Sequence, residues 1–180
     1  MKKVILTAAL TGLFSLSFTD KQGLVLAQSP QIAQIKNTIV AVNKVGLGKI
    51  RPGMSEVEVR KILGKPTSTK TEFMPPIEDN TRTLQYPSIS VSLVPYPNKP
   101  KKFFVYQFVT RSPKFATPMG IKVGDTQSQV IKAYGKPYIS KQGKFISLVY
   151  GVGSQDNAAG FSFDIEAGKV TKIDYTEQLF

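Results

Sequence analysis

Two stretches of the chain carry the same short apolar spacing. Val59, Ile62 and Leu63 fall on one helical face, and Val130, Ala133 and Tyr134 repeat that spacing 71 residues later. Each stretch also carries its own start and stop. Ser55 is placed to N-cap the first helix, with Glu58 completing a capping box; Thr126 and Gln129 repeat the arrangement. Gly64 and Gly135 sit where a left-handed C-terminal residue is wanted, and Pro66 and Pro137 forbid continuation. Gly53 and Gly124 suit a tight lead-in to each helix.

Laid over one another, residues 50–70 and 121–141 are identical at eight of 21 positions. Average residue usage would give about one or two, so the spacing reads as an internal duplication. The shared positions specify a helix, its ends and its buried face, and no chemistry.

Alternation takes over after each helix. Ile89, Val91 and Leu93 alternate with Ser88, Ser90 and Ser92, and Phe103 to Thr110 predicts a further strand. In the second copy Phe145 to Tyr150 is apolar and β-prone. Phe161, Phe163 and Ile165 alternate with Ser162, Asp164 and Glu166, and a turn at Ala167-Gly168 leads into Val170 to Thr176. Pro- and Gly-rich stretches at Met74–Asn80, Pro95–Pro100 and Ser112–Gly120 punctuate these runs. Ile32, Ile35, Ile39 and Val42 stand at near-helical spacing, which predicts an extra helix within 31–45, although so many β-branched residues lean toward strand.

The start of the chain reads as an address. Lys2 and Lys3 precede an uncharged apolar run from Val4 to Phe18, and Val25-Leu26-Ala27 offers a cleavage site. The run is short for a bilayer, which asks for roughly 20 apolar residues. The expected organisation is therefore α+β: a signal peptide over 1–27, an N-terminal helix over 28–47, a helix-plus-antiparallel-sheet unit over 48–111, a linker over 112–120, and a second such unit over 121–180.

With Ile50-Arg51-x-Gly53-x-Ser55-x-x-x-Val59-x-x-x-x-Gly64-x-Pro66 in view, the chain resembles the SmpA/OmlA (BamE-like) small outer-membrane lipoproteins. The second copy, Ile121 to Pro137, matches equally well. Two such units in tandem also resemble the fold of the β-lactamase inhibitory proteins. The resemblance implies an envelope protein that works by binding other proteins. The chain departs from both groups through its lack of cysteine: it has neither the residue that anchors the lipoproteins nor the disulfides of the inhibitors. The matched positions are structural, so no binding residue carries over.

Composition narrows the chemistry. Cysteine, histidine and tryptophan are absent. The thiolate nucleophile, the thiol-linked lipid, the usual general base and the commonest metal ligand are therefore all missing. Glu56 and Glu58 lie in a first helical turn, where carboxylates favour the dipole, and Asp164 and Glu166 fall on a solvated strand face. Neither pair reads as catalytic, and Asp156 in its Gly-flanked loop is a single acid, too few for a calcium site. The expectation is a protein without enzymatic activity, cofactor or metal.

Charge points to a partner. The formal net charge is +12. Arg82, Lys99, Lys101, Lys102, Arg111, Lys114 and Lys122 lie between Asn80 and Gly124 with no acid among them. Lys132, Lys136, Lys141 and Lys144 follow, and Asp125 alone interrupts the span. Such a run suggests an anionic membrane or wall surface, or an acidic envelope protein. Lys101 and Lys102 precede Phe104, Tyr106 and Phe108, a period-two aromatic stripe. With Arg111 and Lys114 these make the candidate binding surface; as a stripe the aromatics read more readily as core. The glycines of RNA-binding sheets are missing, which sets nucleic acid aside. The functional expectation is an exported, periplasmic or secreted envelope protein acting by protein or anionic-surface binding. An enzyme inhibitor of the β-lactamase-inhibitor type and a small-ligand carrier are the alternatives.

Overall fold

A computed structural model describes residues 39–96, 99–143, 145–153 and 159–179; the side chains of Lys99, Pro100 and Lys101 lie outside this set, as do the expected signal peptide and residues 28–38. A two-residue strand β1 (Ile39–Val40) comes first. Helix α1 (Glu56–Leu63) is followed by strands β2 (Ser68–Met74), β3 (Asp79–Tyr86), β4 (Ile89–Tyr96) and β5 (Lys99–Thr110). Helix α2 (Gln127–Tyr134) is followed by β6 (Tyr138–Gln142), β7 (Phe145–Val152), β8 (Ala159–Glu166) and β9 (Lys169–Glu177).

The expectation of two tandem helix-plus-sheet units is corrected here. Among the described residues all nine strands belong to one mixed sheet, in the order β1-β7-β8-β9-β5-β4-β3-β2 with β6 also on β7, and the two α-helices are short. The joint is an antiparallel pairing of β5 with β9, from Gln107 against Thr176 to Thr110 against Ile173. A physical reason is plain. Each meander alone would leave its last strand with an unpaired row of backbone groups and little apolar area to bury. Pairing those two edges removes both and produces a single core, in which Val59 of α1 and Val130 of α2 share one buried cluster.

What does repeat is the helix and its fittings. Both capping boxes form as read, Ser55 with Glu58 and Thr126 with Gln129. The lead-in glycines bond to the last strand of each meander, Gly53 N–H to the Val105 carbonyl at 2.9 Å and Gly124 N–H to the Val170 carbonyl at 2.8 Å. Gly64 and Gly135 have φ of 79° and 86°, but with ψ of −153° and −166° they occupy an extended region reserved for glycine rather than the left-handed helical one. Val59 and Val130 are fully buried, and Pro66 and Pro137 are buried beyond the helix ends.

The helix expected near the N-terminus is also corrected over its described part. Ile39–Val40 lie parallel to Gly151–Val152 of β7, and Val42–Lys44 make one 3₁₀ turn. The β-branched pair favours a pleated, half-buried place over a helix.

Register puts both helices on one face. The row Tyr150, Phe161, Tyr175, Phe108, Val91 and Leu84 crosses six strands. Tyr134 of α2 packs its ring on Tyr150, Phe161 and Phe163, while α1 reaches Arg82, two residues from Leu84 on the same side. Each large apolar side chain buried there contributes about 1.5–3 kcal/mol. One row of the opposite face is small and polar: Gly151, Gly160, Thr176, Gln107, Ser92, Thr83 and Lys70.

Candidate functional site

The N-terminus of α1 is built against β5. Besides the Gly53 bond, the Val105 N–H donates to the Met54 carbonyl at 2.8 Å, and Ser55 forms a bridge with Phe104. The helix therefore starts over β5 at a fixed height. The Ser55 N–H donates to the Glu58 carboxylate at 2.8 Å, and the Glu58 N–H donates back to the Ser55 hydroxyl at 3.3 Å. The Ser55 hydroxyl also donates to that carboxylate, which together with the backbone bond holds Glu58 below the usual carboxylate range.

Glu56, one residue on, turns toward the sheet. One of its oxygens accepts from Arg60 at 2.8 Å, and the other meets the Arg82 guanidinium from β3. That guanidinium also stands over the Phe103 ring, 4.1 Å from its centroid, a cation–π contact. Beside this cluster lies an open groove of about 610 Å³, lined by Ser55, Glu56, Val57, Arg60, Tyr96, Lys102 and Phe103. Val57 is 76% exposed there, although it is a helical valine with a core close by. Tyr96 on the other side tilts against Phe104, with ring centroids 4.8 Å apart. The groove thus joins an exposed aliphatic residue, two aromatic rings and the exposed Lys102. Its one carboxylate is already shared between two arginines.

The candidate binding residues separate. Lys102 lines the groove and Phe104 abuts it through Tyr96. The Lys101 side chain is outside the described residues. Phe108 is fully buried and stacks on Tyr175 at 5.0 Å. The aromatic stripe does not share a face. Ser92 pairs with Gln107 and Leu93 with Val105, so Tyr106 is the extra residue of a bulge, and Phe104 and Phe108 fall on opposite sides of β5. Tyr106 is buried, and burial pushes its hydroxyl pKa up. Arg111 and Lys114 are exposed beyond the far end of β5, and Arg111 is nine residues from Lys102, so about 30 Å away along the strand.

The basic run is dispersed as well. Arg82 is spent on Glu56 and Phe103, while Lys132 on α2, Lys136 in the turn after it and Lys141 on β6 are exposed at the opposite end of the sheet from β2. Sequence reasoning missed Val57, Arg60 and Tyr96. Val57 carried a signal: it stands between Glu56 and Glu58 on the helical side away from buried Val59.

No family model matches this chain, and no curated protein matches it. The SmpA/OmlA resemblance therefore rests on the two motif copies. A solved structure from Streptococcus mutans, provisionally named a β-lactamase inhibitor protein, is similar at 13% identity. The match covers 77% of this chain and 93% of that one, with a TM-score of 0.27. At that score the likeness carries no argument about fold or activity.

Proposed function

We propose that this is an exported, non-enzymatic protein of the cell envelope, and that it binds another envelope protein through the groove beside α1. The observation that carries this reading is the exposed Val57 in one groove with half-buried Tyr96, the largely buried Phe103 and exposed Lys102. Exposed Val57 and half-buried Tyr96 beside Lys102 suit a partner segment that presents an apolar side chain flanked by carboxylates. The groove is open rather than enclosed, which favours a protein contact over a small-ligand carrier. Export is supported by Lys2 and Lys3 ahead of the apolar run to Phe18. A binding role is supported by the engagement of carboxylates in structural pairs: Glu56 with two arginines, and Asp164 with Lys172 at 2.9 Å.

The test is capture from an envelope extract by wild type and by Val57→Asp and Lys102→Glu, side by side at low and high salt. A protein retained by wild type, lost with either substitution and weakened by salt supports the reading. Its identity then separates an assembly scaffold from an enzyme inhibitor. Equal retention by all three proteins would move the contact elsewhere. Retention of anionic phospholipid vesicles in place of a protein would assign the surface to membrane.

A further inference from the structure

β2 ends the sheet on its side, and among the described residues nothing pairs with its outer edge. It is paired with β3 at all seven positions without a bulge, and it is exposed throughout apart from half-buried Met74. Such a strand offers a row of backbone donors and acceptors to another strand. Its own sequence, Ser68-Thr69-Lys70-Thr71-Glu72-Phe73-Met74, selects which one.

Consider two copies paired antiparallel about Thr71. Lys70 of each then stands opposite Glu72 of the other, and Thr69 opposite Phe73, which is 62% exposed in the single chain. Opposite charges and aromatic–β-branched pairs across strands are both favourable. If the helices of both copies are to lie on the same side of the joined sheet, paired residues must share a face, so the register can move only by whole two-residue steps. Centring the pair one residue earlier sets Lys70 against Lys70, and one residue later sets Glu72 against Glu72. Like charges directly opposite are unfavourable, so among the three registers that keep most of the strand paired, the charges that guard this edge leave one open. Within a single chain Lys70 and Glu72 bond each other at 2.7 Å, both well exposed and able to exchange partners.

We propose that the protein self-associates through β2, by isologous antiparallel pairing about Thr71 that continues the two sheets into one. The interface is a strand edge, far smaller than the roughly 1,600 Å² of a standard stable complex, so the association is weak and concentration-dependent.

Sedimentation of the purified protein from about 10 μM to about 1 mM covers the range for such an equilibrium. A reversible monomer–dimer transition is expected for wild type. Lys70→Glu alone and Glu72→Lys alone each place like charges across the axis twice, and should weaken dimerisation about tenfold. An equal mixture of those two variants should recover wild-type association, because every charge in the mixed pair again meets its opposite. Both positions are exposed, so an unchanged thermal midpoint verifies folding of each variant. A monomer at every concentration, a dimer indifferent to the single substitutions, or a mixture no better than its components would overturn the proposal.

Discussion

The Tyr150 hydroxyl donates to the carbonyl of Gly135 at 3.0 Å, tying the end of α2 to the middle of β7. The Tyr86 hydroxyl does the same for Gly64 at the end of α1, at 3.3 Å. The last carbonyls of a helix lack intrahelical partners, and a tyrosine from the second strand of each meander supplies one. Tyr150 is fully buried, so Tyr150→Phe leaves the Gly135 carbonyl without that donor. It should lower stability by about 1–2 kcal/mol in chemical denaturation, and Tyr86→Phe by less, since its bond is longer. Equal and negligible effects of both substitutions would remove the latch from the account.

Glu56 ties the corner of the groove to β3. Glu56→Gln keeps the size of the side chain but leaves Arg82 over Phe103 and Arg60 in the groove wall without their carboxylate. Glu56 is 15% exposed but both arginines are at least 30% exposed, so solvent screens much of the loss. A destabilisation of about 1 kcal/mol is expected, shrinking as salt rises. A thermal midpoint that does not move at low salt would place the weight of this corner on packing alone.

The buried tyrosines should make the fold sensitive to alkali. Burial pushes the Tyr134 hydroxyl from 10.0 up to about 12, and it moves Tyr150 and Tyr175 in the same direction. Below pH 10 these groups hold their protons in both folded and unfolded chains, and stability does not respond to them. Between pH 10 and 12 the unfolded chain releases protons that the fold retains, so stability falls as pH rises. The slope is about 1.4 kcal/mol per pH unit for each such group. Ultraviolet titration of tyrosine ionisation alongside denaturation should show late-titrating tyrosines ionising together with unfolding. Ionisation of every tyrosine near pH 10 in the folded protein would contradict the packing described.

The local devices were legible in the sequence because each needs a particular residue at a particular place. Ser55 with Glu58, Thr126 with Gln129, and the positive-φ Gly64 and Gly135 are all where the pattern put them. The sheet was less legible. β2 carries Ser, Thr, Lys and Glu exposed on an edge, with no alternation to betray a strand, and β6 has only Ile139 as a large aliphatic residue. The joining of β5 to β9 is a pairing of residues 69 apart at its outer end, which no short window contains. The bulge at Tyr106 had the same cost for the site, since a single extra residue reversed which side of β5 each aromatic faces. Clustered charge along the chain likewise did not become clustered charge in space: β5 carries Lys102 and Arg111 to opposite ends.

The most direct test of the central claim is site-specific photocrosslinking in living cells, with the reactive group placed at Val57 in one strain and at Lys114 in another. Both positions are exposed, and they lie at opposite ends of β5. A discrete adduct with another envelope protein is expected from position 57 and none from position 114. An adduct from 114 with none from 57, or the same adducts from both, would contradict a groove-centred contact.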